Sequence, residues 1–420
     1  MERITARYYI ETPYAVEKAA AVLAGEQSSG TFVAVPGETE ELKNRFAARV
    51  ELIELLETVS EPAIPGASSP DGQYRRAHVE VSWSVENFGH NLPMLVSTLQ
   101  GNLYEITQFT GLKLLDIHFP ETYASHYRGP RFGIGGCRSL TGVDSGRPLI
   151  GTIIKPSVGL TPAQTAETVG ILAQAGIDFV KDDELMASTA NSLFEERVDA
   201  VMQVINRHAD RTGKKVMYAF NISDEMDEML RKYEHIVRSG GTCAMISINS
   251  TGLAAAKRIC DIGELAIHGH RNGWGMLNRH PLLGIEFPAY QKLWRLAGVD
   301  QLHVNGIRNK FWESDDSVVR SIASCLHHAP LDKPVLPVVS SGQWGGQAFE
   351  TYRRTQTTNL LYMAGGGIMA HPGGPAAGVT ALQQAWEAAV GGLTLAEAAR
   401  DYPEFGKSVE KFGQLHFDRA

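Results

Sequence analysis

The chain has 420 residues and a mass of 45.8 kDa, enough for two or three domains or one large barrel with an appendage. Its 39 basic against 47 acidic residues give a formal charge of −8, which excludes bulk nucleic-acid binding and an anionic membrane surface as partners but leaves room for a small anion in a local basic pocket. Four widely spaced cysteines, Cys137, Cys243, Cys260 and Cys325, include no C-x-x-C pair, so neither a disulfide framework nor a zinc ribbon is expected, and a reducing, cytoplasmic setting is.

At the start of the chain, Met1 to Thr5 lacks the apolar core of a signal peptide, and no apolar run is long enough to span a bilayer. Ile4–Thr12 reads as a strand, Ala15–Ala24 as a helix, Pro65–Gly72 as a loop, Val79–Val85 as a strand and Leu92–Leu103 as a helix. This is an α+β pattern of the ferredoxin-like kind, a small sheet with helices on one face. The glycine- and arginine-rich stretch Gly129–Gly146 marks the expected boundary between a domain of residues 1–145 and one of residues 146–420.

From Leu149 the rhythm becomes regular. Short apolar runs at Ile150–Lys155, Asp178–Asp182, Val216–Asn221, Ala244–Ile248, Leu265–His270, Gln301–Val304, Val335–Val339 and Leu360–Ala364 read as strands. Amphipathic segments follow them, among them Ser192–Ala209, Glu225–Ser239, Tyr290–Ala297, Asp316–Leu326 and Ala376–Val390. Eight such units predict an α/β fold with a C-terminal (β/α)8 TIM barrel. The rival is an open doubly wound sheet, which puts its glycine-rich turn after the first strand; here the densest glycines follow the last.

A barrel places its chemistry at the C-terminal ends of the strands, and the polar residues fall there: Lys155, Lys181-Asp182-Asp183-Glu184, Asn221, His268-Gly269-His270-Arg271, His303, Ser340-Ser341-Gly342 and Gly365-Gly366-Gly367. Alternation along a strand puts Lys181 and Asp183 on one face, and Glu184 can join them at the bend. Two carboxylates at one mouth repel unless a cation lies between them, and oxygen ligands suit Mg²⁺. Lys181 becomes a sensible third ligand if CO2 carbamylates it, which requires a neutral amine and therefore burial. The competing reading is a surface salt-bridge cluster. His268 and His270 form an H-x-H pair, read either as a zinc site or as core and substrate-orienting histidines. Arg271 suits a phosphate or carboxylate. Gly365-Gly366-Gly367 and Ser341-Gly342 offer backbone N–H groups to an anion, and Lys310, after the sixth strand, can close over a substrate.

The runs Gly151-Thr152-Ile153-Ile154-Lys155-Pro156 and Gly176-Ile177-Asp178-Phe179-Val180-Lys181-Asp182-Asp183-Glu184 resemble the ribulose-bisphosphate carboxylase (RuBisCO) large chain. The resemblance continues through His270-Arg271, His303, Lys310, Ser341-Gly342 and Gly365-Gly366-Gly367, and reaches back to Glu26, Ser29-Gly30-Thr31 and Gly101-Asn102, so it covers nearly the whole chain in order. It implies that carbamylated Lys181, Asp183 and Glu184 bind Mg²⁺, that Lys155 moves protons, and that His270 lies near the reacting centre. It further implies one phosphate on Arg271, His303 and Ser341 and another on Thr31, Lys310, Gly365 and Gly366, with Asn102 near the metal. Glu26, Thr31 and Asn102 act across a dimer interface in that family, so a homodimer with shared active sites is implied.

The departures cluster around the substrate. K-P-K becomes Lys155-Pro156-Ser157, H-R-x-x-H ends in Trp274, and G-T-W ends in Phe32. The glycine pair after Ser341 becomes Gly342-Gln343, and the sixth loop reads Asn305-Gly306-Ile307-Arg308-Asn309-Lys310-Phe311 instead of S-G-T-V-V-G-K. The chain therefore resembles the RuBisCO-like (form IV) branch. The expected activity is Mg²⁺-dependent enediolate chemistry on a phosphorylated keto-sugar or keto-sugar acid, giving enolisation, isomerisation or decarboxylation. Trp274 and Phe32 are expected to narrow the pocket, and Gln343 to read a polar substituent. The rivals are a genuine carboxylase, a catalytically silent sugar-phosphate binder and a zinc hydrolase on His268 and His270.

Overall fold

A computed structural model describes residues 2–29 and 36–414. The chain forms two compact units. The first opens with β1 (Arg3–Thr12), the helix Val16–Glu26, β2 (Arg49–Val59), β3 (Tyr74–Ser84), the helix Leu92–Leu99 and β4 (Gly111–His118), which is the βαββαβ order of a ferredoxin-like domain. β1 alternates from Arg3 to Ile10: Ile4, Ala6, Tyr8 and Ile10 are buried and lie opposite Trp83, Val81, Val79 and Ala77 of β3, so one sheet face carries the core. The helix Val16–Glu26 lays Val16, Ala19, Ala20, Leu23 and Ala24 into that core at helical spacing. The helix Leu92–Leu99 is capped by Asn91, whose side chain accepts from the Met94 N–H at 3.1 Å.

The second unit is a closed parallel barrel. Its first five strands are β5 (Leu149–Ile153), β6 (Phe179–Lys181), β7 (Met217–Asn221), β8 (Cys243–Ser247) and β9 (Ala266–His270). The chain then leaves the barrel. β10 (Leu283–Ile285) joins the first unit's sheet, parallel to β4 with Leu283 opposite Leu112, and the helix Phe287–Ala297 belongs to that unit too. The Lys113 ammonium, buried in β4, fastens this excursion by donating to the carbonyls of Asn278 and His280 at 2.9 and 2.8 Å. The amphipathic stretch Tyr290–Ala297 thus packs in the first unit instead of following a barrel strand. The barrel resumes with β11 (Gln301–His303), β12 (Leu336–Val339) and β13 (Leu361–Met363), which closes on β5. Closure rules out the open doubly wound sheet.

The barrel interior is apolar. Leu149, Phe179, Met217, Ala219, Met245, Leu336, Val338 and Leu361 pack together with Cys137 and Val143. Cys137 comes from the helix Gly133–Thr141, which lies before residue 146 and is part of the barrel unit; the two units part at Arg128–Gly129. Burial pushes the Cys137 and Cys243 thiols far up, so they stay protonated.

Asp178, just before β6, is fully buried. It accepts from Arg147 at 2.5 and 3.0 Å, from Lys214 at 2.6 Å and from the Ile150 N–H at 2.8 Å. Burial opposes its ionisation, but the Arg147 and Lys214 cations win and hold its pKa below 3.8. A carboxyl depressed in the folded state stabilises the fold above its unfolded value and loses that contribution as pH falls through the folded value. Asp178→Asn is therefore expected to cost of order 2 kcal/mol at neutral pH and to flatten the acid limb of the stability profile below about pH 4. Unfolding midpoints measured between pH 2 and 7 check this; parallel profiles for the two proteins would refute it.

Candidate active site

The polar ends of the barrel strands converge at one mouth. Lys181 ends β6 and is fully buried; its Nζ donates to the Asp182 carbonyl at 2.8 Å and lies 3.3 Å from Glu184 Oε2 and 3.5 Å from Met245 Sδ. Asp183 Oδ2 is 2.7 Å from Lys155 Nζ, which also donates to Ser157 Oγ at 2.7 Å. His270 Nε2 stands 3.4 Å from the Glu184 carboxylate. The structure thus brings Lys155, Lys181, Asp183, Glu184 and His270 into one charge cluster. Asp182 faces the other way and accepts from Tyr218 Oη (2.6 Å), the Asn221 N–H (2.9 Å) and Arg197 (3.3 Å), as strand alternation requires.

Burial decides the protonation states. It pushes the Lys181 amine down, against the raising pull of Glu184 and Asp183. Burial also lowers His270, helped by the Lys181 charge, and keeps it neutral. Glu184 resists burial: the His270 charge, whenever that ring is protonated, and the Lys181 charge hold its carboxyl well below the usual range. A buried lysine beside two carboxylates is the environment in which a neutral amine can add CO2, releasing a proton and leaving a carbamate.

Among the described residues, no three His, Cys, Asp or Glu side chains group to hold a metal ion. Asp183 and Glu184 supply only two carboxylates, each already beside a lysine Nζ. The donor set fits Mg²⁺ once Lys181 itself becomes a carboxylate-like ligand, and two carboxylates fit it poorly otherwise. The zinc reading of H-x-H fails on geometry. His268 Nδ1 lies 2.7 Å from Gln301 Oε1 and its Nε2 lies 2.8 Å from His303 Nε2, so both ring nitrogens are engaged. Burial, with the Lys181 charge, drives His268 far below its ordinary value, and burial with the neighbouring histidines does the same to His303. Two neutral rings fix the direction of the chain: His268 Nδ1 donates to Gln301, His303 Nε2 donates to His268, and Ser340 Oγ donates to His303 Nδ1 at 3.0 Å.

The expected anion-binding residues occupy two neighbouring loops. Arg271 donates to Glu313 Oε2 at 2.8 Å, with both side chains buried. Glu313 also accepts from Asn305 (2.6 Å) and Ser317 (2.8 Å), and Ser341 Oγ donates to Asn305 Oδ1 at 2.7 Å. Asn305 and Ser341 both sit at positive φ, 63° and 75°. Such backbone costs about 1–3 kcal/mol each and persists where the surroundings enforce it. Glu313 and Asn305 are not legible as site residues, because the sequence carries no spacing that links them to Arg271.

Lys310 is exposed, with its ammonium 5.3 Å from the Phe311 ring centroid. Gly365 and Gly366 open the short helix Gly366–Met369, and Gly366 is exposed with open space where a Cβ would stand. Gly342 follows Ser341 in the same turn. Glu26 ends its helix exposed, and Asn102 is exposed in the turn Gly101–Glu105; the intervening Gln27 amide accepts from the Asn102 N–H at 3.1 Å, so these two segments adjoin. Thr31 and Phe32 lie outside the described residues. Two expectations about specificity are corrected. Gln343 is buried among protein partners, not presented to a ligand, and Trp274 packs its buried ring on Phe287 and Tyr290.

Residues 2–123 match the N-terminal domain of the ribulose bisphosphate carboxylase large chain, and residues 138–412 match its catalytic domain. A 3-oxo-isoapionate-4-phosphate decarboxylase of Rhizobium etli is 51% identical over 97% of this chain and 98% of its own length. A 3-oxo-isoapionate-4-phosphate transcarboxylase/hydrolase of Xanthobacter autotrophicus is 51% identical over 96% of this chain and 97% of its own. Among solved structures, a RuBisCO-like protein from Burkholderia fungorum superposes with a TM-score of 0.91 at 44% identity, covering 98% of this chain and all of that one. The chain therefore belongs to the RuBisCO large-chain family and is one of its RuBisCO-like enzymes.

Proposed function

We propose that this enzyme decarboxylates 3-oxo-isoapionate 4-phosphate or a closely similar phosphorylated 3-oxo sugar acid. The observation that carries this reading is the Lys181–Glu184 and Lys155–Asp183 cluster at the barrel mouth, with Lys181 and Asp183 buried and their partners reaching solvent, in a chain half identical to decarboxylases of that substrate. Loss of CO2 from a 3-oxo acid leaves an electron pair that must rest on the ketone oxygen as an enolate, and catalysis consists of stabilising that charge.

Carbamylated Lys181, Asp183 and Glu184 would hold Mg²⁺, and the bound ion would supply Lewis-acid polarisation of the substrate's keto oxygen. Lys155 keeps a side chain 41% exposed while touching Asp183, and so can deliver a proton to the enolate carbon after CO2 has left and regain one from water. Asp183, buried and 2.7 Å away, keeps the Lys155 ammonium aimed at the mouth. His270, neutral beside Glu184, donates a hydrogen bond without adding charge. Arg271, Ser341 and Gly342 on one side, and Lys310, Gly365 and Gly366 on the other, offer the groups that hold the phosphate and sugar hydroxyls. His303, expected among them, has both ring nitrogens taken by His268 and Ser340 and supports the site from behind. Glu26, Thr31 and Asn102 complete the site from a second copy.

A homodimer is part of this reading. Val158, Leu185, Leu193, Phe311 and Trp312, all on loops that follow barrel strands, expose large apolar side chains, and a second copy is the partner that would cover them. Four buried free thiols suit a reducing cytoplasm.

The test uses substrate labelled in its carboxylate. Release of labelled CO2, one for each shortened ketone phosphate formed, is expected. Label retained entirely in acid products would overturn decarboxylation in favour of the transcarboxylase/hydrolase outcome of the Xanthobacter relative. Labelled CO2 entering acid products from ribulose 1,5-bisphosphate would favour the carboxylase.

A further inference from the structure

We propose that Gln343 is a positioning residue that fixes the loop carrying Lys310, by tying the base of that loop to β13. Gln343 replaces the second glycine of the family's pair after Ser341, and its side chain is only 2% exposed. Its Nε2 donates to the Ile307 carbonyl at 3.1 Å, in the loop that follows β11. Its Oε1 lies 3.0 Å from the Tyr362 hydroxyl, in the middle of β13, which the Trp344 carbonyl also approaches at 3.1 Å. One amide, carried by the loop after β12, therefore joins the loop after β11 to β13.

The loop is shaped to receive it. A Cβ at Gly306 would fall 2.3 Å from Gln343 Cδ, so the amide sits closely against a glycine, and a side chain there would push it out of its place. Ile307 and Asn309 are fully buried. Asn309 Nδ2 donates to the carbonyls of Gly306 (2.8 Å) and Glu313 (3.1 Å), and the Lys310 N–H donates to the Ser341 carbonyl at 3.1 Å. Loops that open freely have few buried contacts and solvent-exposed hydrogen bonds. This one is built the other way, and only Arg308 and the end of the loop from Lys310 onward reach solvent. Holding Lys310 in place before substrate arrives removes part of the ordering cost of binding its anion.

The proposal rests on the decarboxylase reading only for its kinetic arm. Gln343→Met keeps the volume and removes both hydrogen bonds; Tyr362→Phe removes one from the other side. In substrate-free enzyme, amide hydrogen exchange across residues 306–311 is expected to quicken about tenfold in Gln343→Met, as the loss of one or two buried hydrogen bonds predicts, and less in Tyr362→Phe. With 3-oxo-isoapionate 4-phosphate, KM is expected to rise about five- to tenfold in Gln343→Met with kcat within about twofold, the pattern of lost uniform binding. In a Lys310→Ala background the same substitution should add nothing to KM. Unchanged exchange in both variants would overturn the anchoring, and a KM effect that persists without Lys310 would overturn the positioning role. An inactive wild-type enzyme would instead count against the decarboxylase reading, with the exchange measurement still deciding the anchoring.

Discussion

Lys181→Met is expected to abolish turnover, by more than about 10³-fold, while leaving the protein at least as stable as the wild type. The two halves of this result have separate causes. Lys181 is fully buried, and burial already pushes its amine down; its neighbours include Met245 Sδ at 3.5 Å. An unbranched thioether fills that space without a charge to desolvate, and replacing a buried ionisable group by an apolar one of similar size is often neutral or stabilising. The partner it leaves, Glu184, is partly exposed and can be solvated. On the proposed metal reading, activity falls because the substitution removes the carbamate that would be the third oxygen donor, and Asp183 and Glu184 alone are a poor Mg²⁺ site. Rates on labelled substrate over a Mg²⁺ titration, paired with thermal unfolding, read both halves. A carbamate carbon signal from ¹³CO2 should appear in the wild type and vanish in the variant. Near-normal turnover in Lys181→Met would sink the metal reading.

Glu313→Ala is expected to cost about 3–5 kcal/mol of stability, the range for breaking a buried ion pair by removing one partner. Glu313 is fully buried and accepts from Arg271, Asn305 and Ser317 together. Its loss leaves a guanidinium that is 4% exposed without this carboxylate, and it frees Asn305, whose positive φ the network enforces. Glu313→Gln should cost less, because the amide oxygen can still accept one of these bonds. Denaturant midpoints of the two variants provide the check. A midpoint for Glu313→Ala within about 1 kcal/mol of the wild type would mean that water or a rearranged Arg271 satisfies the site.

How much of this is legible in the sequence depends on burial. The barrel strands are buried on both faces, so they appear as short apolar runs; the pattern predicts Gln301–Val304 where Gln301–His303 forms, and Ala244–Ile248 where Cys243–Ser247 forms. β2 is not legible. Nearly every residue of Arg49–Val59 is exposed, on an edge strand paired only to β3, so no core face imposes an alternation, and its Glu51, Glu54 and Glu57 repeat at helical spacing. β10 escapes notice because three residues carry no period and its partner β4 lies far back in the chain, Leu283 pairing with Leu112. In the site, strand-end residues such as Lys181 and Asp183 are legible because alternation dictates where they point. Glu313 and the buried amide of Gln343 are not, because their partners lie on other loops.

The excursion between β9 and β11 governs the order in which this protein can be born. The first sheet is completed by β10 and the helix Phe287–Ala297, and Arg295 secures Ala329 and Leu331 by their carbonyls at 2.9 and 2.5 Å. A ribosome making the chain from its N-terminus releases five barrel strands before that edge exists. Until then β4 presents an open row of N–H and C=O groups on an otherwise formed sheet, the kind of template that recruits stray strands. The nascent chain therefore carries an uncovered sheet edge until β10 has been made, and a gene fragment ending at Arg128 should yield an aggregation-prone half-domain.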